Sequence, residues 1–135
     1  MRAIADTGFV VAFLNRLDKH HSWAAEIGLQ AAEPFLTCEA VLAESALLVQ
    51  SAAKVLELVQ RGFLRIAFDL PRNVEKVAAL AGRYDDRQPD LADLCLIRMS
   101  EIHVELPILT VDETDFRVYR RNGREVIPIV CPPRN

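Results

Sequence analysis

The sequence predicts an α/β protein, a three-layer α/β/α arrangement around a central parallel sheet of about five strands. Three observations lead there. Short apolar runs, each long enough for one buried strand, recur along the chain. Longer segments with apolar residues at helical spacing separate them, the alternation that builds parallel sheets. Acidic residues follow several of the short runs directly, where strands of an open sheet end and helices begin.

Taken in order, Ala3-Ile4-Ala5 makes a first strand that closes on Asp6. Thr7-Gly8 turns the chain into Phe9-Val10-Val11-Ala12-Phe13-Leu14, a helix that Asp6 or Thr7 is placed to cap. A second helix is expected over 18–32, started by Asp18 and carrying Trp23 and Ile27 one turn apart. Pro34 interrupts it, and Phe35-Leu36-Thr37 forms a second strand. Val41, Leu42, Leu47, Leu48 and Val49 mark a helix over 39–49, which resumes over 54–60 beyond a break near Ser51 and stops at Gly62. A third strand covers 63–68, and Asp69-Leu70-Pro71 leads into a helix over 72–84. The polar stretch 85–89 precedes a helix over 90–102. Pro107 opens a fourth strand over 108–111, and 126–130 supplies a fifth.

The chain of 135 residues is the size of one ordinary domain, expected to span 1–135. It is 51% hydrophobic and 26% charged, a balance that supports a real core. No apolar run reaches the ~18 residues of a membrane helix, so no membrane association is expected. The start, Met1-Arg2-Ala3-Ile4-Ala5-Asp6, meets an acid too early for a secretory signal. Cys38, Cys95 and Cys131 lie far apart without a CxxC pair, as expected of reduced thiols in the cytoplasm. The net charge of −3 argues against a basic nucleic-acid binder. It leaves room for an enzyme whose positive charge arrives as metal ions.

The acids carry the chemistry. Asp6 and Asp112 close two strands, Asp93 lies one helical turn beyond Asp90, and Glu44 sits amid apolar neighbours in the 39–49 helix. Each has a purely structural reading: Asp6 as a cap, Asp90 and Asp93 as partners of a helix dipole, Asp112 and Asp115 as turn formers, Glu44 as a polar stripe. Four acids on separate elements at one sheet edge are poorly explained by four such coincidences. Clustered carboxylates repel, and hard divalent cations such as Mg²⁺ or Mn²⁺ relieve that repulsion through oxygen ligands. Cations held there can activate water and stabilise charge on a phosphate.

These segments resemble the PIN-domain family, most closely the VapC-type ribonuclease toxins of toxin–antitoxin pairs. The resemblance rests on Ile4-Ala5-Asp6-Thr7-Gly8, Leu42-Ala43-Glu44, Asp90-Leu91-Ala92-Asp93 running into Leu94-Cys95-Leu96-Ile97, and Leu109-Thr110-Val111-Asp112-Glu113-Thr114-Asp115-Phe116. Together they span nearly the whole chain in the family's order. The resemblance implies a Mg²⁺- or Mn²⁺-dependent endoribonuclease in which Asp6, Glu44, Asp93 and Asp112 are the catalytic, metal-holding carboxylates. Thr7, Asp90 and Asp115 match positions that accompany them. It also implies a VapB-like antitoxin partner and a homodimer. The helix after Asp93 departs from the family's small residues, being bulkier at Leu94, Leu96, Ile97 and Met99. The alternative is a non-catalytic PIN-like module that binds RNA or protein.

Other features exclude rivals. His20 and His21 are adjacent and diverge by about 100° on a helix, so they do not share a zinc ion easily. No GxxxxGK[ST] or GxGxxG motif occurs, and Ser45 and Ser100 lack a nucleophile elbow. No Lys follows residue 76, which disfavours a phospho-accepting receiver, and Asp6 is not followed by the second acid of a haloacid-type phosphatase. Arg117, Arg120, Arg121 and Arg124 form the one basic cluster, expected either as a solvated loop or as an RNA-gripping rim beside the acids.

Overall fold

Ile4 and Ala5 are completely enclosed, and the strand they form, β1 (Ile4–Ala5), lies at the centre of the sheet. The computed structural model describes residues 1–134. From β1 the chain runs through α1 (Thr7–Leu14), α2 (His21–Leu29), β2 (Phe35–Thr37), α3 (Glu39–Val49), α4 (Ala52–Gln60) and β3 (Leu64–Ile66). It continues through α5 (Leu70–Arg83), a single 3₁₀ turn at Asp85–Arg87, α6 (Leu91–Ile102), β4 (Ile108–Leu109) and α7 (Glu113–Val118). A hairpin of β5 (Arg120–Arg121) and β6 (Glu125–Val126) precedes the last strand, β7 (Ile129–Val130).

The main sheet has the order β3-β2-β1-β4-β7, and every pairing in it is parallel. Ile4 is registered with Leu36 on one side and Ile108 on the other. Helices on both faces explain why β1, β2 and β4 are buried throughout rather than alternating. The expected five-stranded parallel α/β/α fold is therefore what the chain adopts. Among the described residues, no helix is long and apolar enough to cross a membrane.

Local chemistry accounts for the boundaries that differ from expectation. Asp18 starts no helix; its carboxylate accepts from the His20 N–H at 2.8 Å and tightens a turn, so α2 begins only at His21. Gln50 takes a left-handed conformation (φ 58°) and Ser51 accepts from the Lys54 N–H, which separates α3 from α4. The 126–130 segment splits at Pro128, which has no N–H to donate: Val126 pairs with β5, and Ile129 and Val130 pair with β4. The short helix α7, unexpected from apolar spacing, starts on the Asp112 carboxylate.

Two packed regions hold the layers. Phe9, Phe13, Phe35, Phe63 and Trp23 interlock, with Phe13 stacked on Phe63 at 4.2 Å and Phe9 edge-on to Phe35 at 5.5 Å. Helix α6 is buried along most of its length through Leu94, Cys95, Leu96, Ile97 and Met99. Its bulk is thus accommodated by its position, packed against α3, β1 and β5.

A candidate metal centre at the sheet edge

The acids reach one place because three helices start there. Asp6 follows β1 and caps α1, its Oδ1 accepting from the Thr7 N–H at 2.6 Å. Asp90 caps α6 by accepting from the Asp93 N–H at 2.8 Å, and Asp112 caps α7 by accepting from the Asp115 N–H at 3.3 Å. Capping and clustering are therefore one arrangement rather than competing explanations. An N-cap satisfies backbone donors, and three N-caps at one edge of a parallel sheet bring their carboxylates together.

Asp6, Glu44, Asp90, Asp93, Asp112 and Asp115 all line a single cavity of about 460 Å³. Within it, carboxylate oxygens of Asp93, Asp112 and Asp115 lie within 4.8 Å of one another. Asp6 stands behind this trio, 6% exposed, with Oδ2 accepting from the Thr110 hydroxyl at 2.7 Å. Thr110 also accepts from the Asp112 N–H at 2.9 Å, so one hydroxyl ties the ends of β1 and β4 together. Glu44 enters from α3, on another wall of the cavity.

Gly8 is required by this closeness. A Cβ at that position would collide with Val111, whose neighbour is Asp112.

The electrostatics are those of a crowded anionic pocket. Burial pushes the Asp93 carboxyl up to about 8, aided by repulsion from Asp90, Asp6 and Asp112. Burial also raises Asp6 to about 6, against the opposing hydrogen bonds from Thr110 and Thr7. Glu44 and Asp112 are raised too, chiefly by desolvation, with Asp90 adding repulsion at both. Among the described residues, Arg87 is the one Arg or Lys side chain lining the cavity, and it donates to Asp115 at 2.7 Å. One guanidinium leaves most of the anionic charge uncompensated.

The donor set fits a hard divalent cation. Every candidate ligand atom in the trio is a carboxylate oxygen, with no thiol or imidazole among them. The Thr7 Oγ1 is buried and lacks a partner in hydrogen-bond geometry, although it lies close enough to Glu44 to lower that carboxyl's pKa. An orphaned hydroxyl beside crowded carboxylates is what a site completed by a cation or its water leaves behind.

Compared with expectation, the structure gathers Asp6, Glu44, Asp93 and Asp112 around one cavity and brings Asp115 into the tightest trio. The basic cluster is dispersed. Arg121 is buried and donates to the Ser100 carbonyl and hydroxyl and to Glu125, so it is not part of an RNA-gripping rim. Its first guanidine nitrogen is held by α6, which packs against β5. Arg120 donates back to the carbonyls of Arg117, Val118 and Tyr119, and Arg117 pairs with Glu113. Arg124 is exposed in the hairpin.

Sequence reasoning missed Tyr119, whose hydroxyl donates to Asp93 Oδ2 at 3.2 Å, as well as Thr110 and Arg87. Thr110, directly after a strand and before Asp112, carried a usable signal. Tyr119 and Arg87 did not.

No family model matches the sequence, and no curated protein matches it. The fold is similar to the crystal structure of Mycobacterium tuberculosis VapC20, a sarcin-ricin loop cleaving toxin. The two superpose with a TM-score of 0.69 over 78% of this chain and 86% of that one, at 17% identity. The chain therefore shares that protein's α/β/α fold around a parallel five-stranded sheet.

Proposed function

We propose that this chain is a Mg²⁺- or Mn²⁺-dependent endoribonuclease and the toxin of a type II toxin–antitoxin module. The single observation that carries this reading is the convergence of three capping aspartates, with Asp93, Asp115 and Glu44, on one cavity at the carboxyl edge of a parallel sheet. The fold shared with a sarcin-ricin loop cleaving toxin supports it.

In this reading Asp93, Asp112 and Asp115 hold the metal, with Asp6 and Glu44 completing the anionic wall. When bound, the cation lowers the pKa of a water and neutralises charge developing on the phosphate. The chain's own groups fix the geometry. The Thr7 N–H and the Thr110 hydroxyl hold both oxygens of Asp6. Tyr119 holds one oxygen of Asp93, leaving the other free for a cation. Arg87 steadies Asp115 and lies where a phosphate oxygen could meet its guanidinium. Attack by a cation-activated water would not need the 2′-hydroxyl of the RNA, so the expected products carry a 5′-phosphate.

The partner assignments belong to the same reading. Leu47, Leu48 and Leu56 on α3 and α4 are 76%, 61% and 52% exposed, and Leu48 borders the acid cavity. Such a surface suits an antitoxin that covers the site, or a second copy in a homodimer. A cytoplasmic location follows from an RNA substrate.

The test compares wild type with Asp6→Ala and Asp93→Ala for growth arrest on expression and for Mn²⁺-dependent cleavage in vitro. Wild type is expected to arrest growth and cut RNA, and both variants to lose both properties. Equal toxicity in the variants sinks the carboxylate mechanism. A wild type that neither binds Mn²⁺ nor cuts RNA points to a non-catalytic binding module.

A further inference from the structure

A second cleft opens at the same edge of the sheet, on the other side of α6 from the acids. It has a volume of about 440 Å³ and lies where β2 and β3 give way to α3 and α5. Ala40 and Ala43 of α3 and Leu91 of α6 line it, with Phe68, Leu70 and Pro71 where α5 begins. The lining is apolar apart from Glu39, and Glu39, Ala43, Pro71 and Leu91 are exposed, so the cleft is open to solvent. Helix α6 divides the two cavities. Leu91 and Cys95 line this one, whereas Asp93, about 200° round the helix from each, lines the acid cavity.

Two thiols face each other in this cleft. Cys38 and Cys95 are both free and buried, and both line it. Cys38 stands at the N-cap position of α3, and Cys95 lies in α6, which packs against α3. Their side chains are close enough to share a hydrogen bond, and that contact, with burial, raises the Cys38 thiol above its ordinary range. Neither thiol lines the acid cavity, and Cys131 lies apart from both, in a different hollow after β7. Burial shields the pair from bulky reagents, while the cleft admits small ones.

The strand order fixes what a bond between these sulfurs would do. Cys38 follows β2 and Asp112 follows β4, and those strands flank β1 on opposite sides. Helix α6 packs against β1, between them. A disulfide holds its sulfurs about 2.05 Å apart, much closer than two hydrogen-bonded thiols. Closing it therefore draws α6 toward the β2 side. Asp93 moves with the helix, away from Asp112 and Asp115, whose carboxylate oxygens it otherwise meets within 4.8 Å.

We propose that Cys38 and Cys95 are a modification site, which a small disulfide entering this cleft converts into a Cys38–Cys95 disulfide that loosens the metal centre. The apolar lining, with Glu39 at its rim, favours an uncharged reagent over an anionic one. One protein thiol displaces half of the reagent as a thiol and forms a mixed disulfide. The second protein thiol attacks that bond, and the other half leaves as a second thiol. The protein gives up two hydrogens with their two electrons, and the reagent takes up both. Reversible disulfides of this kind serve redox sensing where thiols are otherwise kept reduced. The effect on the cation rests on the nuclease reading, whereas the thiol exchange does not.

The test uses the full chain carrying Cys131→Ala, so that only the two thiols remain, and hydroxyethyl disulfide as the reagent. Mass spectrometry of the folded protein should show the loss of two hydrogens, no retained adduct, and a cross-link between the peptides bearing Cys38 and Cys95. The urea unfolding midpoint should rise on oxidation, because the bridge closes a long loop of the unfolded chain. Mn²⁺ affinity by calorimetry should fall about tenfold and return with dithiothreitol. Adding Cys38→Ala should leave Mn²⁺ affinity within about twofold, with or without the reagent. A cross-link that forms only in urea, or a stable adduct on a single cysteine, overturns the site. A cross-link that leaves Mn²⁺ affinity unchanged, or an equal fall in the Cys38→Ala protein, overturns its link to the acids. If the reduced chain binds no Mn²⁺ but the cross-link forms and raises the urea midpoint, the thiol site stands and the metal reading falls.

Discussion

Helix α1 joins two regions built on opposite principles. From one side Phe9 and Phe13 enter the aromatic cluster with Phe35, Phe63 and Trp23, where apolar rings meet edge-on or stacked. At its start Asp6 and Thr7 enter the acid cavity, where carboxylates crowd one another and a buried hydroxyl lacks a partner. The first region lowers the free energy of the fold by burial and close packing. The second raises it, because desolvation and repulsion disfavour the charged acids. Neighbouring residues of one helix thus separate stability from function, and each region should respond oppositely to truncation.

The largest expected effect breaks the apolar side. Phe9 is fully buried, and Phe9→Ala should cost about 3–5 kcal/mol in urea unfolding of the metal-free protein. A loss below about 1 kcal/mol would mean the cluster collapses around the gap and does not organise α1. On the other side, Asp93→Asn should reduce RNA cleavage by about 10²–10³-fold. Its metal-free stability should stay about equal near neutral pH, where Asp93 is largely protonated, and rise above about pH 8, where the substitution removes a crowded charge. A variant that unfolds without losing activity per folded molecule would show the two regions misassigned.

How much of this contrast is legible in the sequence depends on which residues carry it. The strands are readable because Ile4-Ala5, Phe35-Leu36-Thr37 and Ile108-Leu109 are apolar runs bounded by turns or acids. The acids are readable because Asp6, Asp90 and Asp112 occupy capping positions, where type and position agree. The place of Asp115 in the tightest trio is hard to read from sequence because α7 is six residues long, too short for an apolar period to announce it. Arg121 is misread because its burial depends on Ser100, twenty-one positions away, and sequence spacing carries no trace of that pairing. Tyr119 escapes notice for the same reason, being 26 positions from Asp93.

Tyr119 offers the next test, because it combines the two principles in one side chain, apolar packing and a bond to an acid of the cavity. Its ring packs edge-on to Phe116 at 5.4 Å and to Tyr84 at 5.1 Å, while its hydroxyl holds Asp93. Tyr119→Phe keeps the packing and deletes only the hydrogen bond. Mn²⁺ affinity, measured by calorimetry, should fall about tenfold, the lower end of what losing a ligand-orienting partner costs. Stability should change by about 1 kcal/mol or less. If instead stability collapses and metal affinity holds, the hydroxyl serves the fold rather than the site.

The smallest effect is also the one that most directly reads the opposition between the regions. Asp6 and Asp93 sit at about 6 and about 8 in the folded chain, above the 3.8 of an ordinary aspartate. The folded state therefore holds more protons than the unfolded state across that interval. Without metal, these two groups make stability fall as pH rises from about 4 to about 8. A divalent cation binds the deprotonated acids and offsets their repulsion, so its stabilising effect should grow over the same window. The rise in Tm on adding Mg²⁺ should be a few degrees larger at pH 8 than at pH 5.5, with the difference reduced in Asp93→Asn. The aromatic cluster has no titrating group, so the shift caused by Phe9→Ala should not vary with pH. A metal-induced rise that is flat with pH would place the cation away from Asp6 and Asp93.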